Sequence, residues 1–226
     1  MSNGQFMSRI IMTIGLILTL GASMSACAKN TFSWKEEVLL HDGSKIIVKR
    51  SQSYGGRHEI GQTPPIKEQT ITFTAPGTNK AITWKSEYGE DIGRSNFILL
   101  ALHILKDTPY IVASPNLCLS YSKWGRPNPP YVFFKYDSKA WERIALAELP
   151  TEFQEINLVV STKVEEETIT ANPLVSAELV KKLNGSLEQP EYKTILREPL
   201  PTGQLCPQYS SGFKAPIPMT PSTLPK

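Results

Sequence analysis

The segment Gln69-Thr-Ile-Thr-Phe-Thr74, the turn Pro76-Gly77-Thr78-Asn79, and Lys80-Ala-Ile-Thr-Trp-Lys85 form the most regular stretch of this chain. Ile71 and Phe73 alternate with threonines on the first arm, as do Ile82 and Trp84 on the second. A period of two puts successive side chains on opposite faces, so each arm reads as a half-buried strand, and the turn joins them as a hairpin. Three more pairs extend this pattern in both directions. Lys35–Leu40 and Ser44–Ser51 flank His41-Asp42-Gly43, and Asp-Gly is a strong hairpin signal. Phe97–Leu105 and Tyr110–Ala113 bracket Lys106-Asp107-Thr108-Pro109. The apolar run of the first arm also suits a buried helix, but the β-branched second arm and the short turn favour a strand. Tyr131–Tyr136 and Ala140–Leu146 enclose Asp137-Ser138-Lys139, and Ile156–Val160 reads as a further strand.

The turns recur every 30–35 residues or so, too close for propeller blades of about 40–45, and their side-chain patterns differ. A mainly β domain over residues 31–198 is therefore expected: an antiparallel sandwich or barrel-like body built from successive hairpins. One short helix is expected near 173–184, with Asn172 as cap, Pro173 at the first helical position and Asn184-Gly185 as the stop. Prolines crowd residues 199–226, which read as an extended tail wherever Cys206 does not tie them.

The 226 residues carry 24 basic and 21 acidic side chains, a net charge of +3. That balance gives no basic stripe of the kind nucleic acid requires. Lys45, Lys49 and Arg50 read as part of a solvated hairpin, with Lys49 and Arg50 on opposite faces.

The N-terminal segment differs in kind. Arg9 precedes an uncharged apolar run, Ile10–Leu20, and then the small-residue tract Gly21–Ala26, with no acidic residue before Glu36. This is the tripartite shape of a secretory signal peptide, residues 1–26. An uncleaved anchor is the competing reading, since residues 10–28 are free of charge, but Gly15, Gly21, Ser23 and Ser25 dilute the second half of that run. Met24-Ser25-Ala26-Cys27 resembles the lipobox of bacterial lipoproteins, although Met24 stands where Leu is commonest. The resemblance implies cleavage before Cys27, a diacylglyceryl thioether on its sulfur, an acylated new N-terminus, and residues 27–30 as a lipidated linker. It also implies membrane lipid as a partner, and Ala28 after the cysteine resembles the type sorted to the outer membrane, facing the periplasm. The competing cut, after Ala28 in Ala26-Cys27-Ala28, would give a soluble secreted β protein. The body, most of all Tyr54–Glu68 and Ser114–Asp137, resembles uncharacterised proteobacterial envelope proteins, a likeness that implies no activity.

With Cys27 acylated, Cys118 and Cys206 remain, and an even remainder in an oxidising envelope points to one disulfide. A bridge across 88 positions would stabilise the fold by about 4 kcal/mol in the chain-entropy picture.

Signatures of catalysis are missing: no nucleophile elbow, no phosphate loop, no paired-histidine zinc motif. The acidic clusters Glu87, Glu90, Asp91 and Glu165–Glu167 read as solvated, and no metal or other cofactor is expected. Two loops carry recognition chemistry. Tyr54-Gly55-Gly56-Arg57-His58-Glu59 offers an aromatic ring, a guanidinium and an imidazole, and Trp124-Gly125-Arg126-Pro127 adds a second ring and a second guanidinium. Tyr54, Arg57, His58, Trp124 and Arg126 are thus the candidate binding residues, on loops carried by a β scaffold. The expected role is binding or structural, toward an envelope protein or glycan, without catalysis. The alternative is a periplasmic hydrolase whose site assembles His58, His103 and nearby carboxylates.

Overall fold

A computed structural model describes residues 31–77 and 79–207. The body is mainly β, with two four-stranded antiparallel sheets. The first has strand order β1-β2-β3-β4, formed by β1 (Thr31–Leu39), β2 (Lys45–Tyr54), β3 (Ile66–Thr74) and β4 (Ala81–Ser86). A small hairpin follows, β5 (Tyr88–Gly89) and β6 (Arg94–Ser95). The second sheet is ordered β10-β9-β8-β7, from β7 (Phe97–Leu105), β8 (Thr108–Pro115), β9 (Val132–Tyr136) and β10 (Trp141–Ile144).

Alternation makes this a sandwich. Val38, Val48, Ile71, Phe73, Ile82 and Trp84 point inward from the first sheet. They meet Phe97, Leu99, Leu102, Ile104, Ile111 and Val132 of the second in one core. In the β3–β4 pair the register sets Ile71 opposite Trp84 and Phe73 opposite Ile82, as the hairpin reading requires. The apolar run Phe97–Leu105 is a strand: both turn residues, Lys106 and Asp107, have positive φ (49° and 62°). That conformation matches the twist of a two-residue hairpin. Because β7 is buried on both faces, its second face carries its own core, in which Leu100, Tyr110 and Phe133 meet Leu149, Phe153 and Ile195.

Ile156–Val160 is not a strand. The segment is buried, but side chains satisfy its backbone. Glu36 accepts from Val159 N (2.7 Å), and Asn184 accepts from Val160 N (3.1 Å) and donates to Leu158 O (2.8 Å). Asn157 in turn bonds the backbone of Leu102 and Leu39. With those partners in place the segment needs no ladder.

Three helices are present among the described residues: α1 (Leu117–Lys123), α2 (Glu166–Thr170) and α3 (Ala177–Gly185). The helix expected at 173 starts at Ala177, because Ser176 takes the cap by accepting from Leu179 N (3.2 Å). Glu165–Glu167, one of the acidic clusters, cap and open α2.

Arg50 is a correction as well. Rather than lying on a solvated hairpin, it is 1% exposed and pairs with the fully buried Glu36 at 3.1 Å. Trp34 donates to the same carboxylate (2.8 Å), and Arg50 donates to Val159 O (2.8 Å) beneath the Trp34 ring. The even-numbered residues of β1 and β2 face inward, so this pair is sealed between the first sheet and the 159 segment.

Cys118 and Cys206 lie at disulfide distance, with Cα atoms 5.4 Å apart. Cys118 sits on α1 rather than on a strand, and the contact draws residues 200–207 along the body. Asn128 bonds the backbone of Leu200 in both directions. The signal segment, the lipobox with Cys27, the linker through residue 30 and the tail beyond residue 207 lie outside the described residues.

Candidate functional site

Antiparallel order sends the connections to two ends. The turns at 40–44, 75–80, 106–107 and 137–140 share one end, where Lys80 Nζ donates to Ser138 O (3.0 Å) across the two sheets. At the other end lie the loop 55–65, the β5–β6 hairpin, α1 with its following loop, and residues 161–166. Thr31 is at this same end, since it pairs with Ser53.

Glycine permits the close approach that builds this loop end. Gly56 (φ 86°) and Gly93 (φ 77°) lie against one another, and a Cβ on Gly56 would stand 2.4 Å from Gly93 O. A Cβ on Gly93 would meet Arg57 Cβ at 2.7 Å. With neither present, Arg57 N bonds Gly93 O (2.8 Å), and the 55–65 loop clasps the β5–β6 hairpin.

A cleft of about 360 Å³ opens between this 55–65 loop and residues 160–164, with Arg94 of β6 also in its lining. Arg57, Arg94, Lys163 and His58 line it over an apolar floor that includes Ile66 and Ile98, and no Asp or Glu is among its lining residues. Arg57 Nη2 donates to Glu90 O (2.9 Å) and Lys163 Nζ to Pro64 O (2.7 Å), so both cations are positioned by neutral carbonyls and keep their charge uncompensated. The Arg94 side chain makes no hydrogen bond or ion pair among the described residues. His58 Nδ1 donates to Gly56 O (2.8 Å), leaving the far edge of its ring outward. Chemically, the arrangement can accept an anion: forked and point cations beside Ile66 and Ile98, with no carboxylate in the lining to compete.

Of the five candidate binding residues, Arg57 and His58 enter the cleft. Tyr54 stands beside it, below Lys163 (5.9 Å from Nζ to the ring centroid). Its hydroxyl is committed, donating to Glu166 and accepting from Gln52 (2.6 Å). Burial, and next the Glu166 carboxylate, hold its pKa well above the usual phenol range. Trp124 and Arg126 do not join this group. The Trp124 ring packs 4.5 Å from Phe97, and Arg126 lies over Tyr121 and donates to the carbonyls of Cys206 and Pro207. Both are occupied in holding α1 and the C-terminal strap. Arg94 and Lys163 were invisible to motif reading, because they come from a two-residue strand and an irregular loop far apart in sequence.

The histidines do not converge. His58 is exposed at the loop end, whereas His103 is buried in β7, stacked 4.6 Å from Phe153, with Nε2 donating to Glu155 O (2.9 Å). Desolvation lowers the His103 pKa to about 4, so it stays neutral. His41 edges the same Phe153 ring. Among the described residues no group of three His, Cys, Asp or Glu side chains could hold a metal.

A larger hollow of about 600 Å³ runs beside α3, but both charge signs line it and two of the four charged groups are engaged. Glu178 pairs with Lys45 (3.0 Å), and Lys193 donates to Gly185 O (3.1 Å). No helix among the described residues is long and apolar enough to cross a membrane. No protein-family model, no curated protein and no solved structure matches this chain.

Proposed function

We propose that the chain is the precursor of a lipid-anchored, non-catalytic binding protein of the bacterial envelope, acylated at Cys27 and held at the outer membrane facing the periplasm. The sequence Met24-Ser25-Ala26-Cys27 behind an apolar run supports the anchor. Three acyl chains would hold the body stably, where one chain binds only marginally. The observation that carries the binding role is the cleft at the loop end, with Arg57, Arg94 and Lys163 and no lining carboxylate. Its ligand would be anionic. A hydrolase reading needs His58, His103 and carboxylates together, and their separate surroundings give it no support.

Replacement of Cys27 by Ala tests the anchor. The expected result is transfer of the protein from the membrane fraction to the soluble envelope fraction. Unchanged membrane association would refute acylation at Cys27, and a wild-type chain already soluble would favour the cut after Ala28.

A further inference from the structure

The first described residue, Thr31, lies at the cleft end of the sandwich. Thr31 follows Cys27 by four positions, which at full extension reach about 14 Å. Under the proposed anchor, that reach limits how far the end at which Thr31 pairs with Ser53 can stand from the bilayer surface, and Ser53 leads directly into the cleft-forming loop.

The same end carries exposed apolar side chains. Ile60 is fully exposed and Val164 is 81% exposed, while Leu117 and Leu119 on α1 are near 60% (59% and 61%). Only Leu39 and Ile47 are comparably large and exposed elsewhere among the described residues. Of the carboxylates at this end, Asp91 pairs with Lys123 (2.9 Å) and Glu166 bonds Tyr54, while Glu59, Glu87, Glu90 and Glu165 stand outside the cleft lining. Cations and protruding apolar side chains at one end match the acyl–headgroup boundary of an anionic membrane.

From this we infer that the loop end is a membrane-contact surface, whose cleft seats the phosphate headgroup of an anionic phospholipid while Ile60, Val164, Leu117 and Leu119 enter the interface. The inference rests on the proposed anchor for orientation, but its test does not need the anchor. All three apolar cores lie within residues 31–207, so an unacylated chain starting at Ala28 retains every residue of the described fold.

That chain, oxidised, is floated with vesicles of phosphatidylcholine alone or with about one third phosphatidylglycerol. Binding to the anionic vesicles only is expected. Each basic side chain at an anionic surface contributes about fivefold in partition. Arg57→Gln, Arg94→Gln and Lys163→Gln together should lower it about a hundredfold, and Ile60→Ser with Val164→Ser about tenfold. Lys106→Gln, Lys135→Gln and Lys139→Gln remove the same charge from the opposite half and should leave binding unchanged. An equal loss with this second triple would reduce the effect to net charge and overturn the inference. So would absence of vesicle binding, or capture of inorganic phosphate at the cleft without vesicle binding. Intact mass of the envelope protein reports acylation separately, so failure of the anchor and failure of the surface are distinguishable.

Discussion

The two ends of the sandwich are made from the same strands and solve opposite problems. At the turn end each connection is short and closes on itself. Asp42 accepts from Ser44 N (2.9 Å), and Asp137 accepts from Lys139 N and Ala140 N (2.8 and 2.6 Å). Those bonds lower both carboxyl pKa values, Asp42 through the Ser44 side chain first and Asp137 through Ala140 N first. At the loop end the connections are long, lean on one another, and leave cations and apolar side chains facing out. Tight turns finish a sheet, whereas long loops leave surplus chain with which to build a site.

The loop end alone is tied by the Cys118–Cys206 contact, while buried polar groups such as Arg50 and His103 lie in the strands between the two ends, and perturbations should rank accordingly. The largest effect expected is from Cys118→Ser with Cys206→Ser, which frees the strap. Loss of an 88-position constraint should cost about 4.5 kcal/mol in denaturant unfolding. Next is Arg50→Met, which strands the buried Glu36 carboxylate. About 4 kcal/mol should be lost in urea, more than a Lys→Met change at exposed Lys49 on the same strand would cost.

The third effect is pH dependence. The His103 pKa is depressed by burial to about 4 from an ordinary value near 6.5. Below the unfolded value the unfolded chain takes up a proton that the fold refuses, so stability falls as pH drops from about 6.5 to 4. The loss, on the order of 3 kcal/mol, ends below pH 4. His103→Gln should flatten most of that slope in unfolding measured against pH. The smallest effect is at the turn end: Asp137→Ala removes the carboxylate that accepts from two backbone N–H groups of an exposed turn. It should lower the melting temperature slightly and leave vesicle binding untouched.

What the residues announced in advance follows the same division. Asp42-Gly43, Lys106-Asp107 and Asp137-Ser138 carry local turn chemistry, and the alternation of Ile71, Phe73, Ile82 and Trp84 is local too. Short-range patterns therefore located both sheets and the turn end. The rest of the molecule depends on distant partners. Ile156–Val160 looks like a strand until Asn157, Asn184 and Glu36 supply its hydrogen bonds. Arg50 looks solvated until Glu36, 14 residues away, faces it from β1. Arg57 and His58 were legible as recognition chemistry on a glycine-rich loop. Arg94 and Lys163 carry no local signal, because the Gly56–Gly93 approach and the Lys163–Pro64 contact assemble the cleft in space. Trp124 and Arg126 had the right composition, but the strap at Cys206 engages them.

The most direct test of which end does the work is amide hydrogen exchange of the Cys27-acylated protein on anionic vesicles, compared with the unacylated chain free in solution. Added protection confined to residues 55–64, 93–95, 117–126 and 161–166 is the expected result. Protection centred instead on residues 41–43, 106–107 and 137–140, or spread evenly over both ends, would contradict it.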